Sequence, residues 1–126
     1  MTQAFSLLEL SPKQVAMMLR EESIILIDVR EPGEFNSEHI EGAQSFPLSS
    51  FDPAALPQDA GRTVVLQCGV GKRSAMAVQR CLAAGIPVHT HLTGGLMAWK
   101  AAGLPTVSDQ TRGPSLLDRI LGRGSK

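Results

Sequence analysis

The chain is poor in aromatic residues: its 126 residues include four Phe, one Trp and no Tyr. Leu, Ile, Val, Ala and Met must therefore fill most of the interior, since 43% of the residues are hydrophobic. A chain of this length commonly forms one domain and buries about two-thirds of the surface that its unfolded state exposes. We expect one core and no second fold.

The chain also lacks net charge, because 12 basic and 12 acidic residues cancel. The whole-chain charge therefore gives no support for nucleic-acid binding. The two cysteines could form at most one disulfide, and neither has a nearby Cys or His at the spacing of zinc ligands. We expect no nucleic-acid partner, no metal and no other cofactor.

Long hydrophobic runs are missing as well. No stretch approaches the ~20 apolar residues that a membrane-spanning helix needs. The first twenty residues hold Glu9, Lys13 and Arg20 and lack the basic start and apolar run of a signal peptide. We therefore expect a soluble, reduced, cytoplasmic protein without a membrane span, present as a monomer or weak dimer.

Short apolar runs alternate with helical patterns along the chain, which predicts an α/β domain with a mainly parallel sheet. Ser11 is an expected helix cap, because Pro12 suits the first helical position and Gln14 stands three residues after the cap. Strands are predicted over 5–10, 24–29, 44–48, 63–67 and 88–93, and helices from Ser11 and over 34–37, 73–84 and 95–102.

The last residues differ in character from the predicted domain over 1–107. Residues 112–126 hold four basic residues and one acidic residue. A helix of seven or eight residues from Ser115 would be too short to be stable alone. It either docks on its own domain or meets a partner or an anionic surface. We expect 108–126 to be a basic, partly amphipathic tail that is flexible or weakly docked, with its apolar residues at Leu116, Leu117, Ile120 and Leu121.

The segment after the strand over 63–67 combines features that favour an anion. The strand delivers Cys68 to the carboxyl edge of the sheet, where open α/β folds bind their ligands. Gly69 and Gly71 allow successive backbone N–H groups to point inward at one sulfur. Lys72 and Arg73 add positive charge at the beginning of a helix, whose free N–H groups act in the same direction.

All these effects favour the thiolate of Cys68, which is the nucleophilic form of the side chain. They would equally hold the outer sulfur anion of a persulfide. A lone Cys after a strand is otherwise a small buried hydrophobe, but packing does not require the glycines, the two cations and the helix start. No His or Asp lies within the loop, and we expect Cys68 to need no separate general base.

The stretch Cys68-Gly-Val-Gly71-Lys-Arg73-Ser74 resembles the active-site loop of the rhodanese family. The resemblance covers about residues 5 to 107, with the matching segments in the family's order. It implies an α/β fold of three layers around a central, mainly parallel five-stranded sheet. The further matching segments are Leu26-Ile-Asp28-Val-Arg30-Glu-Pro-Gly-Glu34-Phe35, His39-Ile-Glu-Gly42-Ala43 and Thr93-Gly94-Gly95-Leu-Met-Ala-Trp99.

The resemblance also implies a thiosulfate sulfurtransferase-like enzyme that works through a persulfide on the catalytic Cys68. The donor would be a small sulfur compound such as thiosulfate, and the acceptor cyanide, a thiol or a protein. Two alternatives would use the same loop: a sulfur carrier for a specific protein partner, and a persulfide or oxidant sensor. The substrate-binding residues would be Gly69, Val70, Gly71, Lys72 and Arg73.

Loop length separates two chemistries. The spacing from Cys68 to Arg73 is C-x4-R, whereas the related phosphatases have C-x5-R. A phosphoryl group is bulkier than one sulfur and needs a longer ring of donors. The short loop therefore favours sulfur transfer over phosphate or arsenate chemistry.

Several other residues are interpreted as structural. Asp28 and Arg30 stand at a strand end, and we expect them to hold loops together through hydrogen bonds and a salt bridge. His39 precedes a Gly-Ala turn and is expected to fix that turn by hydrogen bonding. His89 and His91 would face the same side of one strand, but no third metal ligand is visible and a packed or edge-exposed pair is favoured.

Cys81 and Trp99 are interpreted as packing residues. Cys81 lies on the predicted helix about 12 Å along the axis from Arg73, at 1.5 Å per residue, which is too far for a resolving thiol. Trp99 lies three positions after Leu96 on a predicted helix, so core packing explains it.

Overall fold

The structure is a computed structural model in which residues 7–108 are described. Five strands form one parallel sheet in the order β1-β5-β4-β2-β3. The strands are β1 (Leu8–Leu10), β2 (Ile24–Asp28), β3 (Gln44–Ser45), β4 (Thr63–Gln67) and β5 (Thr90–Leu92). The helices are α1 (Pro12–Arg20), α2 (Pro32–Ser37), α3 (Lys72–Ala83) and α4 (Gly95–Ala101), with 3-10 turns at Leu48–Ser50 and Pro53–Ala55. The predicted α/β class is confirmed.

The two faces of the sheet carry separate hydrophobic cores. β2 is buried at every position, and its side chains alternate between the cores. Ile25 and Ile27 pack in the core that contains α3, whereas Ile24 and Leu26 pack in the core that contains residues of α1 and α4. The unbroken apolar run of β2 therefore reflects burial on both faces, as in other parallel sheets.

The junction between β1 and α1 is fixed by a capping box. Ser11 Oγ accepts a hydrogen bond from the N–H of Gln14 at 3.2 Å, and Gln14 Oε1 accepts one from the N–H of Ser11 at 2.8 Å. A cap of this kind stabilises a helix by about 1 kcal/mol. The predicted helix start is confirmed, and it anchors the end of β1, where Glu9 pairs in register with His91 of β5.

Apart from the first strand, three predicted elements differ from the structure by two or more residues at one end. The helix expected from Glu34 begins at Pro32, because proline fits the first helical turn and the N–H of Glu31 is taken up by the Glu34 carboxylate at 2.9 Å. The strand expected over 44–48 covers only Gln44–Ser45, although the N–H groups of Phe46 and Leu48 still donate to the carbonyls of Asp28 and Val29 at 2.9 Å. The strand expected over 88–93 covers only Thr90–Leu92.

The two ends of the described range limit what the structure says of the termini. The strand expected over 5–10 begins at Leu8, and residues 5 and 6 lie outside the described residues. His39 and Val107 exchange two backbone hydrogen bonds of 2.8 Å. Of the predicted tail over 108–126, only Ser108 is described. None of the helices within 7–108 has the length and apolar character needed to cross a membrane.

Candidate active site

The loop over 68–71, called here the Cys68 loop, joins β4 to α3 at the carboxyl edge of the sheet. β4 lies between β2 and β5, so this loop leaves the middle of the sheet. Two backbone N–H groups donate to the sulfur of Cys68, from Gly71 at 3.1 Å and from Ser74 at 3.3 Å. Gly71 has a φ of +107°, a left-handed conformation that favours glycine. These contacts form part of the predicted cradle, and they include Ser74, to which the sequence interpretation gave no role.

The sulfur lies beneath this loop. Cys68 has no exposed surface, whereas Val70 at the loop tip is 53% exposed. A molecule in solvent therefore reaches the sulfur only after a rotation of the Cys68 side chain or a movement of the loop. Such access favours small reactants over bulky ones.

The beginning of α4 supports the loop through its backbone. The N–H of Leu96 donates to the carbonyl of Cys68 at 2.8 Å, and that of Met97 donates to the carbonyl of Gly69 at 3.0 Å. Gly95 makes this close approach possible: an added Cβ would overlap the Cys68 carbonyl oxygen and lie 2.5 Å from the carbonyl carbon of Gly69. Gly95 also has a φ of +62°. Gly95 therefore allows the N–H groups of Leu96 and Met97 to hold the two carbonyl groups that follow β4.

The charge of Arg73 is shared with a carboxylate. Its guanidinium donates to the two oxygens of Glu34 at 2.7 and 3.1 Å. The hydrogen bond from Arg73 is the main cause that lowers the pKa of Glu34 from 4.5 to about 2, and the same hydrogen bond is the main cause that raises the pKa of Arg73. Lys72 is exposed at the first position of α3. Glu34 therefore offsets part of the positive field of Arg73.

Asp28 and Arg30 hold the element that carries Glu34. Arg30 donates to Asp28 through Nε at 3.0 Å and through Nη2 at 2.7 Å, and both side chains are buried. Arg30 Nη2 also donates to the carbonyl of Glu38 at 2.6 Å. The predicted salt bridge and its loop-holding role are confirmed, since the pair ties the end of β2 to the end of α2.

His91 is the residue that the sequence interpretation missed. Its Nδ1 lies 2.7 Å from Ser74 Oγ, and its Nε2 lies 3.2 Å from Glu9 Oε2. Ser74 Oγ in turn lies 3.5 Å from the sulfur of Cys68. His91 is only 3% exposed, whereas the side chain of Glu9 is 56% exposed. A line of hydrogen bonds therefore joins the buried sulfur to the surface, and it passes through a histidine that lies outside the Cys68 loop.

His91 lies on β5, whereas His89 directly precedes it and accepts a hydrogen bond from the N–H of Leu8 through its carbonyl at 2.8 Å. Within residues 7–108, Nδ1 of His89 is buried without a hydrogen-bond partner. The side chain of His39 reaches back to α2: Nδ1 donates to the carbonyl of Phe35 at 2.7 Å, and the two rings stack with centroids 3.9 Å apart.

The two expected packing residues are buried. Cys81 lies in the core on the α3 side, where burial raises the pKa of its thiol to about 11. Trp99 is buried in the core that contains α1 residues, and its indole N–H donates to the carbonyl of Pro105 at 2.8 Å.

Comparison with known proteins supplies the family. The model of the rhodanese-like domain matches residues 11–102. The chain is 44% identical over 111 residues to an uncharacterized protein of Synechocystis. The aligned segment covers 88% of this chain and 62% of that protein. It is 33% identical over 91 residues to a sulfurtransferase of Allochromatium vinosum. This alignment covers 71% of this chain and 83% of that protein.

Longer proteins contain a similar segment. The chain is 46% identical over 80 residues to a probable adenylyltransferase/sulfurtransferase of Mycobacterium tuberculosis, which covers 60% of this chain but 20% of that protein. A solved thiosulfate sulfurtransferase of Pseudomonas aeruginosa superposes with a TM-score of 0.74 at 27% identity, over 82% of this chain and 21% of that chain. The chain thus spans less than two-thirds of the length of the Synechocystis and Mycobacterium relatives.

Proposed function

Because this chain belongs to the rhodanese-like domain family, we propose that it is a sulfurtransferase that carries sulfane sulfur as a persulfide on Cys68. The observation that carries the proposal is the pair of N–H groups, from Gly71 and Ser74, that donate to the Cys68 sulfur. Hydrogen bonds to a sulfur anion favour that anion over the neutral thiol. The same donors suit both the attacking thiolate and the thiolate that leaves when the sulfur moves on.

Thiosulfate is the proposed donor. The Cys68 thiolate attacks the sulfane sulfur, and a bond forms between Sγ and that sulfur. The S–S bond of thiosulfate breaks, and sulfite leaves with the bonding electron pair. Cys68 is left as a persulfide with a negative outer sulfur, so charge and atoms balance. The Cys68 loop, together with Lys72 and Arg73 at the beginning of α3, would surround that outer sulfur.

A nucleophilic acceptor completes the cycle. Cyanide attacks the outer sulfur, thiocyanate leaves, and Cys68 returns as a thiolate. A thiol acceptor reacts as its thiolate and leaves carrying the sulfur as its own persulfide. The two half-reactions share one covalent intermediate, so ping-pong kinetics are expected.

Loop length supports sulfur transfer over phosphoryl transfer. From Cys68 to Arg73 there are four intervening residues, and Gly71 already donates to the sulfur at 3.1 Å. A ring this small can close around one sulfur, whereas a phosphoryl group has three peripheral oxygens that each need donors. We therefore expect negligible hydrolysis of aryl phosphates.

A second candidate is a carrier that delivers its sulfur to one protein partner. Val70 and Met97 are 53% and 67% exposed, and they flank the contact in which the Met97 N–H donates to Gly69. Exposed apolar side chains at the mouth of a site suit a protein surface. The Mycobacterium relative, whose name joins an adenylyltransferase to a sulfurtransferase, supports the same proposal. For this candidate, Cys68 loads one sulfur but turns over slowly with cyanide.

We also propose a reducing, cytoplasmic setting, because Cys68 and Cys81 are both free thiols.

The experiment that tests the proposed function is steady-state formation of thiocyanate from thiosulfate and cyanide. Cys68→Ser should abolish it, and the matched core variant Cys81→Ala should keep it. Turnover that survives in Cys68→Ser would exclude Cys68 as the sulfur carrier.

A further inference from the structure

We infer that Ser74, His91 and Glu9 form a proton relay that takes the thiol proton from Cys68. The inference rests on the proposed function, since it concerns activation of the same sulfur. It starts from three consecutive distances: Cys68 Sγ to Ser74 Oγ at 3.5 Å, Ser74 Oγ to His91 Nδ1 at 2.7 Å, and His91 Nε2 to Glu9 Oε2 at 3.2 Å. Each distance joins a donor to an acceptor.

The chemistry of the groups fixes the direction of the relay. The Glu9 carboxylate only accepts hydrogen bonds, so Nε2 of His91 carries the proton and Nδ1 has the free lone pair. Ser74 Oγ then donates to Nδ1, and its oxygen is left to accept the S–H of Cys68. The carbonyl of Gly71 is also within reach of Ser74 Oγ at 3.2 Å, but Nδ1 is nearer at 2.7 Å.

Proton transfer along this line balances without another reactant. The proton of Cys68 passes to Ser74 Oγ as the hydroxyl proton of Ser74 passes to Nδ1 of His91. Cys68 becomes the thiolate, Ser74 stays neutral and His91 becomes an imidazolium. The thiolate is then held by the hydroxyl and N–H of Ser74 and the N–H of Gly71. Glu9, on the surface, faces the imidazolium.

The surroundings of His91 make this charge transfer possible in a buried site. A buried imidazolium is costly unless opposite charge compensates it. Glu9 on β1 contacts Nε2 of His91, and Ser74 links Nδ1 to the Cys68 thiolate after β4; on α3, the cations Lys72 and Arg73 directly precede Ser74 in the chain. Arg73 is already paired with Glu34. The two anions thus stand at the two ends of the hydrogen-bonded line through His91.

The relay assigns His91 and Glu9 as positioning residues that act through Ser74. A packing role for His91 predicts different behaviour, because packing influences folding and orientation but not the pH at which Cys68 loses its proton. The discriminating observable is therefore the rate of Cys68 alkylation by iodoacetamide as a function of pH. Mapping the adduct by peptide mass separates Cys68 from Cys81.

His91→Asn is the main variant, because the amide keeps a polar group near Ser74 but cannot take up a proton. We expect the midpoint of its rate–pH profile to rise, with alkylation slowed about tenfold at neutral pH for a shift of one unit, and the limiting rate at high pH to be unchanged. Ser74→Ala should raise the midpoint as His91→Asn does, and Ser74→Thr, which keeps a hydroxyl, should show the wild-type rate–pH profile. Glu9→Gln should give a smaller rise that added salt reduces, while the exposed control Glu41→Gln should give none.

The relay would be overturned if the rate–pH profile of Cys68 alkylation in His91→Asn kept the wild-type midpoint, with folding verified by thermal unfolding. A lower limiting rate without a shift of the midpoint, which is the signature of a packing role, would overturn it as well. Alkylation needs no sulfur donor, so the two proposals fail separately. Shifted profiles in a protein that transfers no sulfur keep the relay and reject the proposed function. Sulfur transfer by a protein whose variants show unshifted rate–pH profiles keeps the proposed function and rejects the relay.

Discussion

Arg73 and Glu34 are joined by two hydrogen bonds, of 2.7 and 3.1 Å, that tie the first turn of α3 to α2. The pair leaves both side chains partly exposed, at 34% and 43%. Arg73 therefore supplies positive charge near the Cys68 loop and also links α3 to α2. Pairing with Glu34 offsets part of that charge and forms the link between the helices.

Removing either member of this pair should change catalysis in opposite directions. Arg73→Met takes positive charge away from an anionic donor and should lower kcat/KM for thiosulfate. Glu34→Gln frees the guanidinium charge and should raise kcat/KM. Each change should be about fivefold, the effect of a screened interaction of about 1 kcal/mol, and should shrink as ionic strength rises. Equal losses of kcat/KM in the two variants would show that the pair only links the two helices.

The same pair should leave a signature in the pH dependence of stability. The Arg73 hydrogen bond depresses the pKa of Glu34 from 4.5 to about 2, so the ionised form stabilises the fold above the unfolded-state pKa. That contribution should fall as pH drops from about 4.5 toward 2. The difference in Tm between wild type and Glu34→Gln should be constant from pH 5 upward and disappear in acid. A difference at pH 2 as large as that at pH 5 would contradict the assignment.

Gly95 should be the less replaceable of two glycines with positive φ. Gly95→Ala forces a Cβ against the backbone of Cys68 and Gly69, whereas Gly103, at φ +80°, has nothing within 4 Å of an added Cβ. We expect Gly103→Ala to cost about 1 kcal/mol for the left-handed backbone. Gly95→Ala should cost about 1–3 kcal/mol more for the overlap and should impair Cys68 reactivity. Urea unfolding checks both, and equal losses would contradict the close approach.

Breaking the buried pair of Asp28 and Arg30 should be costly. Arg30→Met leaves the carboxylate of Asp28 buried without its partner and should lower the free energy of unfolding by about 3–5 kcal/mol. Adding Asp28→Asn to that variant removes the stranded charge and should recover part of the loss. Urea unfolding of the single and double variants measures both effects. A loss below about 1 kcal/mol in Arg30→Met, as for an exposed pair, would show that the pair is not buried in solution.

The sequence predicted what depends on near neighbours along the chain. The capping box of Ser11 and Gln14, the bounds of β4 and the pairing of Asp28 with Arg30 each involve residues within a few positions of one another. Local dihedral preferences and side-chain reach decide such features, so a sequence pattern is enough to find them.

The contacts that surround the sulfur from a distance were not predictable in this way. Arg73 meets Glu34 across 39 residues, His91 meets Ser74 across 17, and His91 meets Glu9 across 82. The last contact exists because the first strand pairs with the last, which no local pattern specifies. His91 also carried a misleading signal, since its spacing from His89 pointed to a pair on one strand.

The central claim is that Cys68 carries the sulfur, and intact-protein mass spectrometry after thiosulfate treatment tests it most directly. We predict a gain of one sulfur atom, lost again on addition of cyanide, with the adduct mapped to Cys68. Cys68→Ser should show no gain, and Cys81→Ala should gain the atom as the wild type does. Folded wild-type protein that gains no sulfur, or an adduct that maps to Cys81, would contradict the account.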